Sequence, residues 1–429
     1  MNLSARPAAP VDPLRSLGEA RLGGGRGRII FVNRFYYPDR SATSQLLTDL
    51  ATHLARAGRD VTVVTSRRRC DDLEARLAPR ETADGVAILR LPMVRFRRSR
   101  LVGRALEYLG FHGFALAALL RRVRRGDIVV AKTDPPLIGV AAGIACALRG
   151  ATLVNWIQDL FPEVASAAGL CGLAIATPAL RRLRNWSLRR AAFNVVLGRR
   201  MADRIEREGV GANRIGIIAN WVEDRNILPR DRADHPLRAR WGLDSEFVVG
   251  YSGNMGRVHD FATIRALVLA LEDDPEIRFL FVGDGLHRDW LERETAAAGP
   301  GRVMFQPYQR REDLAQSLTA IDLHLISLLP SFEGLVVPSK FYGVLAAGRP
   351  TLFVGDPAGE IGRLIETGGC GLAVRPGEVE RAAAFVRGLA REPGRAAEMG
   401  RNARTLCEAR FRSADALARW EGLLANVDA

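Results

Sequence analysis

Lysine is almost absent from this chain of 429 residues. Of 62 basic residues two are lysines, Lys132 and Lys340, and the rest are arginines. A compact ammonium is hydrated and directed differently from a planar guanidinium, so the two exceptions stand out as point charges. Cysteine is scarce as well. Cys70, Cys146, Cys171, Cys370 and Cys407 stand apart, with no C-x-x-C pair. That spacing argues against a disulfide framework and a thiolate zinc site, and predicts a reducing, cytoplasmic setting. No run of about 18 uncharged apolar residues occurs, which argues against a membrane-spanning helix. The opening MNLSARPAAPVDPLRSLGEARLGGGRG has no apolar signal core, and residues 1–27 read as a disordered leader.

What charge there is lies unevenly. Residues 1–227 carry 37 basic and 20 acidic residues, a balance of +17; residues 228–429 carry 25 and 28, a balance of −3. The first half therefore suits an anionic partner, nucleic acid or membrane. The segment LVGRALEYLGFHGFALAALLRRVRR (101–125) has an apolar middle. Arg95, Arg97, Arg98 and Arg100 precede it, and Arg121, Arg122, Arg124 and Arg125 end it. Apolar side chains between basic ends suit a helix lying on a bilayer, with Phe111 and Phe114 inserted, and equally an ordinary core helix with solvated ends. ALRRLRNWSLRR (179–190) is a second basic helix.

Strand and helix patterns alternate along the chain. RIIFVNRFYY (28–37) reads as a strand entering an aromatic loop. SATSQLLTDLATHLARAG (41–58) reads as a helix with Leu46, Leu47, Leu50 and Leu54 on one face. RDVTVVTS, VAILRLP, GDIVVAKTDPP, ATLVNWIQDLFPE, NVVLG and RIGIIANWV continue the series. After LPRDRADHPLRARWGL the pattern restarts with EFVVGYSGNMG and IRFLFVGDG. This predicts two α/β domains with parallel sheets.

Ligands of open parallel sheets bind outside the carboxyl ends of the strands. YSGNMGR and FVGDGLHR each follow a strand directly. Gly253, Gly256, Gly283 and Gly285 would let the backbone approach a ligand, with Asn254 inside the first loop and Arg257 adding charge. FEGLVVPSKFYGVLAAGRP (332–350) reads as a loop, then Pro338 in the first turn of a small-residue helix. Ser339, Lys340 and the free N–H groups there predict an anion site suited to a diphosphate. No group of residues has metal-ligand spacing, so no metal is expected.

Taken together, FYYPDRSATSQLLTDLATHLARAGRDVTVVTS, YSGNMG, FVGDG and AAGRP resemble the family 4 glycosyltransferases, retaining enzymes of the GT-B fold, over residues 28 to 425. TDPPL, WIQDLFPE and ANWVE are similar to the branch that builds bacterial surface polysaccharides of the colanic-acid type. The resemblance implies two Rossmann-like domains facing across a cleft. Residues 28–227 would be the acceptor side and 228–411 the nucleotide-sugar side, with a helix over 412–427 packing back on the first. It implies sugar transfer with retention from a nucleotide-diphosphate sugar, without metal or other cofactor. The acceptor would be lipid-linked, on a polyprenyl diphosphate, or an oligosaccharide. The chain would then sit on an anionic membrane surface, the inner face of the cytoplasmic membrane.

Residue by residue, Arg257, Lys340 and the loop amides would stabilise the departing diphosphate. Glu333 would accept sugar hydroxyls, and Asp159 of WIQDLFPE would orient or deprotonate the acceptor hydroxyl. Ser41, Ala42, Lys132 and Asp134 fall on the acceptor side, Lys132 toward an acceptor phosphate. The pattern also departs from the family. The two positions of its E-x7-E motif hold Leu335 and Gly343, leaving Glu360 as a candidate for the nucleotide ribose. Ser41 and Ala42 replace a Gly-Gly pair. Two other readings are a nucleotide-sugar 2-epimerase of the same fold and a basic nucleic-acid-binding protein. The second lacks a recognition helix, an aromatic stacking strip or a zinc knuckle.

Overall fold

The computed structural model describes residues 27–428 apart from 40, 71, 73, 94–99, 171–175, 233–234 and 244. The leader through residue 26, and Arg95, Arg97 and Arg98, lie outside the described residues. The described residues divide into two compact units: those up to 162, with 176–218 and 417–428, form the first, and 163–170 with 219–416 the second. The division at 218/219 falls earlier in the chain than the 227/228 expected from sequence.

Unit one contains β1 Ile29–Val32, α1 Ala42–Arg56, β2 Val61–Ser66, β3 Arg80–Ala83 and β4 Val86–Leu91. It continues with α2 Arg100–Arg122, β5 Ile128–Lys132, α3 Ile138–Arg149 and β6 Thr152–Trp156. A short α4, Glu163–Ala167, belongs to unit two; Val164 packs there. α5 Thr177–Arg190, β7 Phe193–Val196, α6 Arg199–Arg207 and β8 Ile215–Ile217 complete the run. The eight strands lie in the order β3-β4-β2-β1-β5-β6-β7-β8, all parallel except β3 against β4. Runs such as IIFV and IVVAK are buried throughout, as strands covered on both faces require.

Side-chain alternation sorts the helices. Ile30, Val32, Val129, Ala131 and Leu153 pack with Phe111, Ala115 and Leu119 of α2 and Ile138, Ala141 and Ala142 of α3. Asn155, two residues on from Leu153, donates to the Ser187 carbonyl of α5. So α2, α3 and α5 cover one face.

Unit two holds α7 Pro236–Trp241, β9 Phe247–Ser252, α8 Phe261–Ala270, β10 Ile277–Val282, α9 Arg288–Thr295 and β11 Val303–Gln306. Then come α10 Leu314–Thr319, β12 Leu323–Ser327, α11 Lys340–Ala346, β13 Thr351–Val354, α12 Glu360–Gly368 and β14 Gly371–Val374. α13 Val379–Arg391 and α14 Pro393–Arg410 follow. The six parallel strands run β11-β10-β9-β12-β13-β14. Strand order therefore reverses beside β9, between β10 and β12, and a crevice opens at such a reversal.

The last helix, α15 Ser413–Asp428, starts in unit two and joins unit one from residue 417. Asp224 accepts from the Ser413 N–H and hydroxyl, both at 3.0 Å. Farther along, Trp420 packs on Trp156 with ring centroids 4.7 Å apart, and Glu421 meets His53 at 3.2 Å. Both indoles are fully buried. Trp420→Ala is expected to cost about 3–5 kcal/mol, the usual range for a buried tryptophan. Urea unfolding measures it; a loss under about 1 kcal/mol would show that this helix adds little to unit one.

Candidate functional site

In unit two the loops leaving β9, β10 and β12 meet at the strand-order reversal. The Gly253 N–H donates to the Val282 carbonyl at 2.9 Å, and the Met255 N–H to the Asp284 carbonyl at 2.8 Å. The two glycine loops are thus bonded to each other. Gly283, at φ 133°, has no room for a side chain: an added Cβ would lie 2.2 Å from the Gly253 carbonyl oxygen. Gly285, at φ 143°, presses in the same way on Asn254 and the Met255 amide, at 2.7 Å from each. The Arg288 guanidinium pins the second loop by donating to the Gly283 carbonyl and, at 3.2 Å, to Gln306. Arg257 is exposed on the first loop, and Gly256 packs on the Asn254 side chain.

Lys340 comes to this loop from α11. Its Cε lies 3.4 Å from where a Gly253 side chain would start. Its ammonium sits 3.8 Å from the centre of the Tyr251 ring. The Tyr251 hydroxyl donates to the Asn254 carbonyl at 2.7 Å, so it accepts from Lys340. His259 Nδ1 faces the Ser327 carbonyl at 2.5 Å and must donate to it. That leaves His259 Nε2 as an acceptor, 3.4 Å from Lys340 Nζ. Burial, then the neighbouring ammonium, hold the His259 pKa down at about 3, so the imidazole is neutral. Among the described residues no carboxylate pairs with Lys340, and burial pushes its pKa well below the ordinary lysine value. Three neutral acceptors hold a cation that nothing neutralises.

Lys132 has the opposite environment. It is wholly buried at the end of β5, donates to the Thr43 carbonyl at 2.9 Å and lies 3.6 Å from the centre of the Trp156 ring. Burial holds its pKa well below the ordinary lysine value, and the charges of Asp134 and Asp49 offset only part of that. The acceptor-phosphate role expected from sequence is corrected by this packing: the amine is spent within unit one, joining β5 to the first turn of α1. Asp134 is likewise engaged, with Arg34 at 3.2 Å. Ser41 precedes α1, its N–H donating to Asp39 at 2.8 Å, and Ala42 is exposed beside it.

Asp159 lies just past β6, where the Thr133 hydroxyl accepts from the Gln158 N–H at 2.8 Å. The residue stays exposed, yet protein packed around the carboxyl thins its hydration and the Asp134 charge lies near. Its pKa is raised to about 6, desolvation first. An accessible carboxylate near neutrality can exchange a proton with a substrate hydroxyl.

Residues 42–221 match the glycosyl transferase 4-like domain, and residues 246–392 match the glycosyl transferases group 1 family. The chain is a GT-B glycosyltransferase of the family 4 type. It is 29% identical over 289 residues to the probable glycosyltransferase WbjE of Pseudomonas aeruginosa, covering 66% of this chain and 71% of that one. It is 29% identical over 266 residues to the putative colanic acid biosynthesis glycosyl transferase WcaI of Escherichia coli, covering 58% and 65%. The crystal structure of Anabaena HepE in complex with UDP superposes with a TM-score of 0.69 at 17% identity, over 93% of this chain and all of that one. The matched families, WbjE and WcaI are named as glycosyltransferases, which leaves the epimerase reading without support.

The transferase departs from its sequence-based picture at three other points. Pro338 precedes the helix instead of opening it; α11 starts at Lys340 and has seven residues, so the lysine's own charge outweighs any helix dipole. Glu333 accepts from the Glu360 N–H at 2.8 Å, placing its carboxylate on the start of α12 and not on open solvent. Leu335 is buried, and a side chain at Gly343 would start 3.3 Å from Leu318, so both E-x7-E positions face packed protein. Tyr251 and His259, which hold the Lys340 amine, have no role in the sequence-based picture. The signal for His259 was its rarity, six histidines in the chain, and its place three residues past Gly256.

The two lysines should separate in stability. Lys132→Ala leaves a cavity under the Trp156 ring and the Thr43 carbonyl without its donor, at a cost of about 3 kcal/mol. Lys340→Ala removes an uncompensated, half-buried charge and should stay within about 1 kcal/mol of wild type. Urea unfolding of both variants checks the contrast, and equal losses would contradict it.

Proposed function

We propose that unit two binds the diphosphate of a nucleotide sugar at Lys340, and that the enzyme transfers the sugar with retention. The acceptor is a lipid-linked or oligosaccharide chain of a bacterial surface polysaccharide, reached at the inner face of the cytoplasmic membrane. The observation that carries this reading is the uncompensated ammonium of Lys340, set against glycine loops with no side chains to bar a ligand. An arriving diphosphate supplies the missing negative charge and raises the lysine pKa, so binding draws a proton onto Nζ or holds one there. The contact to the Asn254 carbonyl, at 3.5 Å, is the weakest of its three and the one an anion displaces. The UDP held by HepE and the colanic-acid role in the name of WcaI support the donor class and the product class.

In the reaction the anomeric bond breaks and negative charge grows on the departing diphosphate. Lys340, Arg257 and the amides of the Gly253 and Gly283 loops stabilise that charge, with Asn254, Gly256, Gly285 and Ser339 shaping the donor site. His259 and Tyr251 hold the Lys340 amine in place. Glu360, at the start of α12, takes the nucleotide ribose in place of the absent motif glutamate, and Glu333 orients that turn. Asp159 takes the proton of the acceptor hydroxyl. Retention rests on the motif resemblance.

Lys340→Ala should keep the fold and cut turnover 100- to 1000-fold, about 2.7–4 kcal/mol of lost leaving-group stabilisation. Release of nucleoside diphosphate from a panel of nucleotide sugars measures it, and wild-type turnover in the variant would refute the assignment.

The pH dependence tests Asp159. Its pKa is raised, so its basic form is scarce below about pH 6 and fills in above it. Activity should climb as pH rises through about 6. Asp159→Asn should be slow throughout and lack that limb; a variant that retains the limb would assign the proton to another group.

A further inference from the structure

The layer formed by α2, α3 and α5 has an unusual outer surface. Its inner side already packs on the sheet through Phe111, Ala115, Leu119, Ile138, Ala141 and Ala142. Phe111 is therefore a core residue, which corrects the expectation that it inserts into a bilayer. The outer side of such a layer normally carries polar residues. Here it carries Leu109, Phe114, Ile144, Leu148, Leu183 and Trp186, six of the ten large apolar side chains that the described residues leave exposed. The three helices adjoin, α2 against α3 and α3 against α5. The Trp186 ring covers Gly143 of α3, where an added Cβ would approach it to 3.1 Å.

Exposed arginines accompany this apolar surface. Arg121 and Arg122 close α2, Arg149 closes α3, and Arg182, Arg189 and Arg190 lie along α5. Arg181 and Arg184 pair with Glu208, but among the described residues none of those six has a carboxylate partner. Apolar side chains that could enter a hydrocarbon boundary, among cations left unpaired, complement one kind of surface: a bilayer with anionic headgroups.

We propose that the outer face of α2, α3 and α5 docks unit one on an anionic bilayer. This deepens the reading of a lipid-linked acceptor and takes its partner from it. The arginines supply an attraction that salt screens, and the leucines and Trp186 supply insertion that salt leaves intact.

The test is co-sedimentation with vesicles of phosphatidylglycerol and phosphatidylcholine, against phosphatidylcholine alone, at low and raised salt. Wild type should pellet with the anionic vesicles and remain largely in solution with the neutral ones. Arg122→Ser with Arg182→Ser and Arg190→Ser should weaken low-salt binding at least tenfold. Leu148→Ser with Trp186→Ser should keep low-salt binding and lose the fraction that survives salt. Leu228→Ser, exposed in unit two, should behave as wild type. Failure of wild type to pellet, or wild-type binding by both patch variants, would overturn the proposal. Should a patch variant not fold, quenching by brominated lipid reads insertion in wild type against Trp186→Phe, and equal quenching would also overturn it. A thermal shift with UDP-sugars on the same proteins separates the two readings. A retained shift without docking refutes docking alone, and docking without a shift refutes the nucleotide-sugar assignment alone.

Discussion

Parallel strands can be joined only by crossovers, and that constraint arranges everything else here. Each crossover leaves its strand at the carboxyl end, so the loops that carry chemistry gather along one edge of each sheet. In unit two the edge is narrowest in its demands at β9, where the strand order turns. The loops after β9 and β10 touch backbone to backbone through Gly253 and Gly283. The loop after β12 then delivers Lys340 from a stretch nearly ninety residues farther along the chain.

The electrostatics of the site follow from what that edge excludes. Tyr251, His259 and the Asn254 carbonyl are neutral acceptors, and each is fixed by a bond of its own, the imidazole by the Ser327 carbonyl. They orient an ammonium without discharging it. A half-buried cation in such company is costly until an anion arrives, which supports the proposed diphosphate site. Unit one solves the same problem in the opposite sense. Lys132 lies near Asp134 and Asp49 and against the Trp156 ring, and its charge serves packing.

The missing glutamates of the family motif have a local explanation. Leu335 is buried and Gly343 faces Leu318, so a carboxylate at either position would be forced into apolar protein. The acidic groups of this region lie instead at the start of α12, where the Glu333 carboxylate receives the Glu360 N–H. A carboxylate there is favoured by the exposed amides of a helix beginning.

Much of this protein could be read from its residues in order. Alternating strand and helix patterns, glycine pairs directly after strands, and the rarity of lysine identified two parallel-sheet units, the glycine loops and Lys340. Those features are local, because periodicity and backbone freedom belong to short segments. What tertiary structure alone decided is how charges and faces are partnered. Lys132 and Lys340 look alike in sequence, and only packing set one of them near carboxylates and left the other with none. Phe111 and Phe114 stand three residues apart on one helix, and only the rotation of α2 on the sheet sent the first into the core and the second to the surface. Compensation of charge and burial of a helix face both act through space, across distances in sequence that no local pattern records.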